Sequence, residues 1–263
     1  MKKFFCLFSV LALLIGSCSD NDGTSSDSGF NINGTKLKRA ILNSNAASGA
    51  ITYDYFYNGN RLARIVSSDM SYFKYTYTDE LITKIEFFKN NVLKNIDFLE
   101  YNNDNKLITR KQIRGNTGYK VVYTHNNDGT ISIFGYTGDS VNQNTPTDLN
   151  KKVFFVNGLV SKIESYSIID GSLETLFTNY THDTANTPTS LILGYDKLTY
   201  YDQGNFQNVH NLTSITYSST VNDIVDVDEI VNVYNADNFL SKATAVDLED
   251  NNGPPLIFEY FYE

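Results

Sequence analysis

The chain has 263 residues, 41% hydrophobic and 19% charged, with a formal charge of −9 from 21 basic and 30 acidic residues. That length holds one large domain or two small ones, and the acidic balance argues against nucleic acid as a partner, since phosphates need a basic field. Two Cys and three His exclude a disulfide framework or a Cys-rich metal site, while 31 Asn, 19 Tyr and 17 Phe with no Trp describe turns and strands.

Residues 1–17 read as a signal peptide. Lys2 and Lys3 precede an apolar run from Phe4 to Ile15, too short to span a bilayer but suited to a signal core. The run ends in Ile15-Gly16-Ser17-Cys18, which resembles the bacterial lipoprotein signal. The resemblance implies cleavage between Ser17 and Cys18 and lipidation of Cys18, so the partner at this end is a membrane. It leaves a mature charge of −11, and the one remaining cysteine carries lipid. Residues 18–29 form the lipidated Cys and a Gly/Ser/Asp tether, with an r.m.s. span of about 18 Å from residue 19. The acidic Asp20-Asn21-Asp22 cluster resembles the surface-export signal of Bacteroidetes lipoproteins. It implies an outer-membrane protein on the cell surface, the alternative being a periplasm-facing lipoprotein.

Residues 30–263 read as one all-β repeat domain. A four-residue signature recurs as Leu62-Ala63-Arg64-Ile65, Ile82-Thr83-Lys84-Ile85, Ile108-Thr109-Arg110-Lys111 and Val160-Ser161-Lys162-Ile163. Weaker copies start at Pro188, Leu212 and Leu240, and spacings of 20 to 28 residues mark a repeat architecture. Turn residues precede the signatures: Asn58-Gly59, Asp128-Gly129 and Asn157-Gly158 supply positive φ, and Asn102–Asn105 and Asn235–Asn238 tolerate it. Before the turns, aromatics alternate at the strand period, as in Tyr53/Tyr55/Tyr57, Phe73/Tyr75/Tyr77 and Tyr119/Val121/Tyr123. Two stretches break the rhythm. Gly135 to Lys151 reads as a long polar loop, and Ser218 to Glu229 is rich in acids.

The units Tyr57-Asn58-Gly59-Asn60-Arg61-Leu62 and Tyr101-Asn102-Asn103-Asp104-Asn105-Lys106-Leu107 resemble degenerate YD (RHS-type) repeats, with Asn mostly in place of the Asp. The chain is most similar to YD-repeat-like lipoproteins of Bacteroidetes. In that family successive antiparallel hairpins join edge to edge into a coiled strip. At some eight units the expectation here is an open twisted sheet or a partly closed barrel.

No catalytic signature stands out, and no cofactor is implied. His125, His182 and His210 sit singly in turn-like settings and lack metal-ligand spacing. Asp223, Asp226, Asp228 and Glu229, and Asp247, Glu249 and Asp250, suit calcium chemically but read first as solvated faces. Tyr55, Tyr75 and Tyr123 fall on comparable rungs. They either pack a core lacking Trp or form a platform for a ligand. Because Asp54, Lys74 and Thr76 share the opposite face, the tyrosine face is expected to be the covered one. The function these features favour is a non-enzymatic binding module for an extracellular glycan or peptide. The alternatives are a structural or envelope-assembly subunit docking another protein, and a hydrolase without a recognisable site.

Overall fold

The computed structural model describes residues 36–42, 49–203, 210–221, 226–247 and 255–263. Ser17 and Cys18, the 18–29 tether, Asp223, Glu249 and Asp250 lie outside the described residues. The strands in chain order are β1 (Leu37–Leu42), β2 (Ile51–Asn58), β3 (Arg61–Ser67), β4 (Ser71–Thr78), β5 (Leu81–Lys89), β6 (Val92–Tyr101), β7 (Leu107–Arg114) and β8 (Thr117–His125). They continue as β9 (Ile131–Asp139), β10 (Gln143–Val156), β11 (Leu159–Ile169), β12 (Ser172–Asn186), β13 (His210–Ser219), β14 (Asp226–Tyr234), β15 (Leu240–Asp247) and β16 (Leu256–Tyr262). Each pairs antiparallel with its successor, and β1 also pairs with β16, Ala40 opposite Tyr260, so the sheet is a closed barrel. Eight units give sixteen strands, and closure is complete rather than partial. It removes the unpaired edges that an open sheet would expose.

The repeated signature is a repeated β-bulge. Tyr57 pairs with Leu62 and Phe56 with Arg64, which skips Ala63. The same slip skips Thr83, Ser161 and Ser241. An extra residue lets positions one and four point to the same face, and Leu62, Ile65, Ile82, Ile85, Val160 and Ile163 are accordingly all buried. In β7 the frame sits one residue earlier than the signature suggested, because the slip skips Ile108. Leu107 and Arg110 therefore take the inward positions.

A bulge breaks the ladder and leaves backbone groups without a strand partner. Tyrosines of the next strand fill these vacancies. The Tyr101 hydroxyl donates to the Ile82 carbonyl at 2.8 Å, Tyr77 accepts from the Leu62 N–H at 3.1 Å, and Tyr262 donates to the Leu240 carbonyl. This accounts for the recurrence of Tyr immediately before the turns.

Turn chemistry fixes the hairpins. Asn157 and Gly158 both take positive φ (51° and 80°), the geometry that matches strand twist. Asn102 and Asn235 build identical wider turns, each side-chain oxygen accepting two backbone N–H groups. The expected long loop from Gly135 to Lys151 is instead two strands. Asp139 accepts the Val141 and Asn142 N–H groups, both at 2.7 Å, and closes a short turn. The start of β10 then packs over Gly135, where a Cβ would meet Thr147 Oγ1 at 2.4 Å. The weak copy at Pro188 is likewise no strand, and belongs to the connection between β12 and β13.

The first strand begins and the last strand ends at the same mouth of the barrel, where the Lys36 and Glu263 backbones exchange hydrogen bonds. This terminal mouth also carries the Asn-rich turns and the β12–β13 connection. The opposite, distal mouth carries the hairpins after β3, β5, β7, β9, β11 and β13.

Candidate functional site

The lumen is filled. The connection that follows β12, described from Thr187 to Gln203, folds back into the barrel, and within it Ile192, Tyr195, Leu198, Tyr200 and Tyr201 are buried in the same core as the wall. It enters beside β4 and β5, where Tyr77 donates to the Leu193 carbonyl and the Leu193 N–H reaches the Asn60 carbonyl. Gly194 permits this approach. Its φ is +68°, and a Cβ there would lie 2.3 Å from the Glu80 carbonyl oxygen. Two 3-10 turns, Tyr195–Lys197 and Tyr201–Gln203, then carry the segment across to β10.

Polar contacts pin it there. Arg110 Nη2 binds Asp202 Oδ2 at 2.8 Å, with side chains 2% and 3% exposed, and Asp97 Oδ2 lies 3.9 Å from Arg110 Nη1. Tyr123 donates to Asp202 Oδ1 at 2.6 Å, Gln112 to Asp97 at 2.8 Å and Lys151 to the Asp202 carbonyl at 2.7 Å. The guanidinium lies 4.5 Å from the centroid of the Tyr200 ring. Burial alone would lower the Arg110 pKa, but Asp202, Tyr123 and Asp97 outweigh it and keep the group cationic. Burial raises the Asp97 pKa against the opposing pull of Arg110, and burial with Asp202 raises that of Tyr123. Arg110 occupies the position that Ile65, Ile85 and Ile163 hold in sister units, so one wall position is specialised to receive the inserted segment.

Tyr55, Tyr75 and Tyr123 line the inside of the barrel, at 5%, 6% and 2% exposure. They make no outward platform. Tyr75 faces the inserted Tyr195 ring, with centroids 6.4 Å apart, and Tyr123 holds Asp202. The Tyr55 and Tyr200 hydroxyls have no hydrogen-bond partner among the described residues. His125 lies on β8 against the Leu107 carbonyl, away from the other two histidines. His182 and His210 flank Asp183, whose carboxylate accepts from Ala185, Asn211, Asn232 and Tyr234 and so ties β12 to β13 and β14. Burial lowers the His182 pKa against the pull of Asp183, and His210 lowers it further. Asp228 points inward and accepts from Tyr217. The Arg110–Asp202 pair escapes sequence reading because its partners lie 92 residues apart. Its one trace in the sequence is Lys111, a charged residue where sister signatures end in an apolar one, and only the shifted bulge shows that the charged core residue is Arg110.

The outer wall has the opposite character. Lys74 alternates with buried Phe73 and Tyr75, and Lys84 and Glu86 flank buried Ile85. Arg39 binds Asp54 at 2.6 Å, Lys84 binds Glu86 at 3.2 Å and Lys162 binds Glu164 at 2.7 Å. Arg64 lies over Phe56, Lys120 over Tyr136, and Lys162 over Phe154 at 4.2 Å. Membrane-spanning barrels show apolar groups to the lipid and polar groups to the lumen. Here charged groups stand on the outer face among exposed Phe56, Phe98, Phe134 and Phe261, while the inner face is largely apolar. A Lys or Arg facing the bilayer centre costs about 2–4 kcal/mol, so these six at that depth would cost about 12–24 kcal/mol, as much as a domain's whole stability.

No protein-family model and no curated protein matches the sequence. Among solved structures the chain is similar to a porin-like protein from Bacteroides vulgatus, at 12% identity and a TM-score of 0.59, covering 88% of this chain and 99% of that one. A porin-like protein from Bacteroides uniformis gives 11% identity and a TM-score of 0.51, covering 86% and 98%. At these identities the likeness is one of fold: all-β, closed and built of successive hairpins.

Proposed function

We propose that this chain is a lipid-anchored outer-membrane protein whose barrel stands in water beside the bilayer and serves as a non-enzymatic binding module for an extracellular ligand. The observation that carries this reading is the wall, whose outer face bears Lys, Arg and paired carboxylates at the level of the strands while its inner face is packed and largely apolar. The filled lumen argues in the same direction, because a channel needs a wet interior. The Bacteroides neighbours support an outer-membrane setting, and the Ile15-Gly16-Ser17-Cys18 signal supplies an anchor that does not depend on the barrel. With Tyr55, Tyr75 and Tyr123 buried in the lumen, the ligand, a glycan or peptide, meets the barrel at its mouths or outer wall.

The test uses the lipidated protein in phospholipid vesicles. Proteolytic cutting of the tether should release a folded barrel into water, and the vesicles should conduct no ions before the cut. Retention in the bilayer after cutting, or conductance, would overturn the reading. Surface display is tested separately by adding protease to intact cells. Wild type should be digested, and Asp20→Ala with Asp22→Ala should be protected. Equal protection of both would place the protein on the periplasmic side.

A further inference from the structure

The distal mouth is not uniform. Strands β10, β11 and β12 are 14, 11 and 15 residues long, against 6 to 10 elsewhere, so the β11–β12 hairpin extends beyond its neighbours as a tongue. Near its tip Ile168 and Leu173 pair across the strands and are 77% and 66% exposed. Leu176 is exposed as well, although strand alternation puts it on the other face from Leu173. Both faces of the tongue therefore stand in water, with Val141 and Val221 exposed on the hairpins to either side. Met70, Val92 and Leu93 are exposed on other hairpins of this mouth, and what sets the tongue apart is its projection, which presents apolar side chains on both of its faces, as an interaction surface does.

The charge carried by these hairpins has one sign. Residues 136–149, 165–176, 217–221 and 226–229 contain six acidic residues outside the core (Asp139, Asp148, Asp170, Glu174, Asp226 and Glu229) and no Lys or Arg. The basic groups at this mouth, Lys89, Lys94, Lys111 and Arg114, belong to strands β5 to β7; Lys89 is bound to Asp69, and Lys111 reaches across to the Val141 carbonyl at 3.3 Å. Position supplies the second argument. The described chain begins at the terminal mouth, and Cys18 lies 19 positions before Leu37. The lipid anchor proposed above therefore attaches at the end of the barrel opposite the tongue.

We infer that the tongue and its two flanking hairpins are a docking lip for a protein segment that presents apolar side chains interleaved with Lys or Arg. The apolar tips exclude water from the contact, while the acids around them select the sign of the partner and speed its encounter. This rests on the water-standing barrel proposed above and names its ligand class, a basic apolar peptide.

The test measures binding of a short synthetic peptide alternating leucine with lysine, and of its leucine–glutamate counterpart, to the lipoprotein in detergent micelles. The lysine peptide should bind and the glutamate peptide should not. Ile168→Asp with Leu173→Asp, and separately Asp170→Lys with Glu174→Lys, should each weaken binding by about tenfold or more, and the charge variant should also flatten the salt dependence. Asp79→Lys with Glu80→Lys, at the terminal mouth, should change nothing. Equal loss in that control, or equal binding of both peptides, would reduce the effect to net charge and overturn the inference. So would a dimer abolished by the Ile168 and Leu173 changes, or a dye at Ile168→Cys that reports an apolar environment once the protein is anchored in neutral vesicles. The water-standing barrel fails only if the cut protein stays in the bilayer or conducts, so the two failures are distinguishable.

Discussion

At the scale of single residues, the lumen is held by groups that the repeat alone would have made interchangeable. Tyr75 packs between wall and inserted segment, so Tyr75→Ala removes a buried ring and should cost about 3–5 kcal/mol in urea unfolding. A change under about 0.5 kcal/mol would contradict its place in the core. Arg110→Ile restores the apolar residue of the sister units yet strands Asp97 and Asp202 without their cation. It should destabilise by about 3–5 kcal/mol, and Asp202→Asn in the same chain should recover much of the loss. His182 resists protonation in the folded barrel. As pH falls through 6.5, its ordinary value, the unfolded chain takes up a proton that the folded chain refuses, so stability falls. His182→Gln should flatten that slope in melting curves recorded between pH 7 and 5.

At the scale of the element, the bulged hairpin is the unit, and most of it was legible beforehand. The Tyr-Asn-Gly turns and the period-two aromatics predicted strands and hairpins because both follow from local chemistry. The signature at Leu62, Ile82 and Val160 was visible as a pattern, but its cause was not. A bulge is a relation between two strands, and its register appears only when the partner is in place. The same holds for Gly135 to Lys151. Its polar composition reads as a loop until Gly135 is seen to accept a crossing chain. The inserted segment was illegible for a third reason, since its anchors lie far away in sequence. If the bulge sets the inward frame, deleting Thr83 should turn either Ile82 or Ile85 outward, because a one-residue slip exchanges the faces of a strand. Thr83→Ala keeps the count and should be tolerated within about 0.5 kcal/mol. Equal unfolding midpoints for the deletion and the substitution would contradict the frame-setting role.

At the scale of the whole molecule, shape and polarity lead to different expectations. The outline matches porin-like barrels, yet charge and burial are distributed as in a protein surrounded by water. The reading proposed above follows burial rather than outline, because fold does not fix function. The lumen that conducts in a true channel is here spent on packing. The two rims are chemically distinct, one polar, the other apolar and acidic on one side.

The seam between β1 and β16, where Lys36 and Glu263 meet, has a consequence for engineering. A short linker can join these ends without crossing the barrel, and new termini opened between Asp170 and Gly171 leave every ladder intact. Such a circular permutant should fold with unchanged circular dichroism, and, if the proposed lipid signal is placed on its new N-terminus, it should attach to the membrane by its other rim. Cells carrying it would then show antibodies the Asn-rich turns that the proposed anchoring at Cys18 puts on the membrane-proximal rim. Anchor geometry and barrel chemistry then become separable variables, and any activity that survives the inversion owes nothing to the direction in which the barrel points.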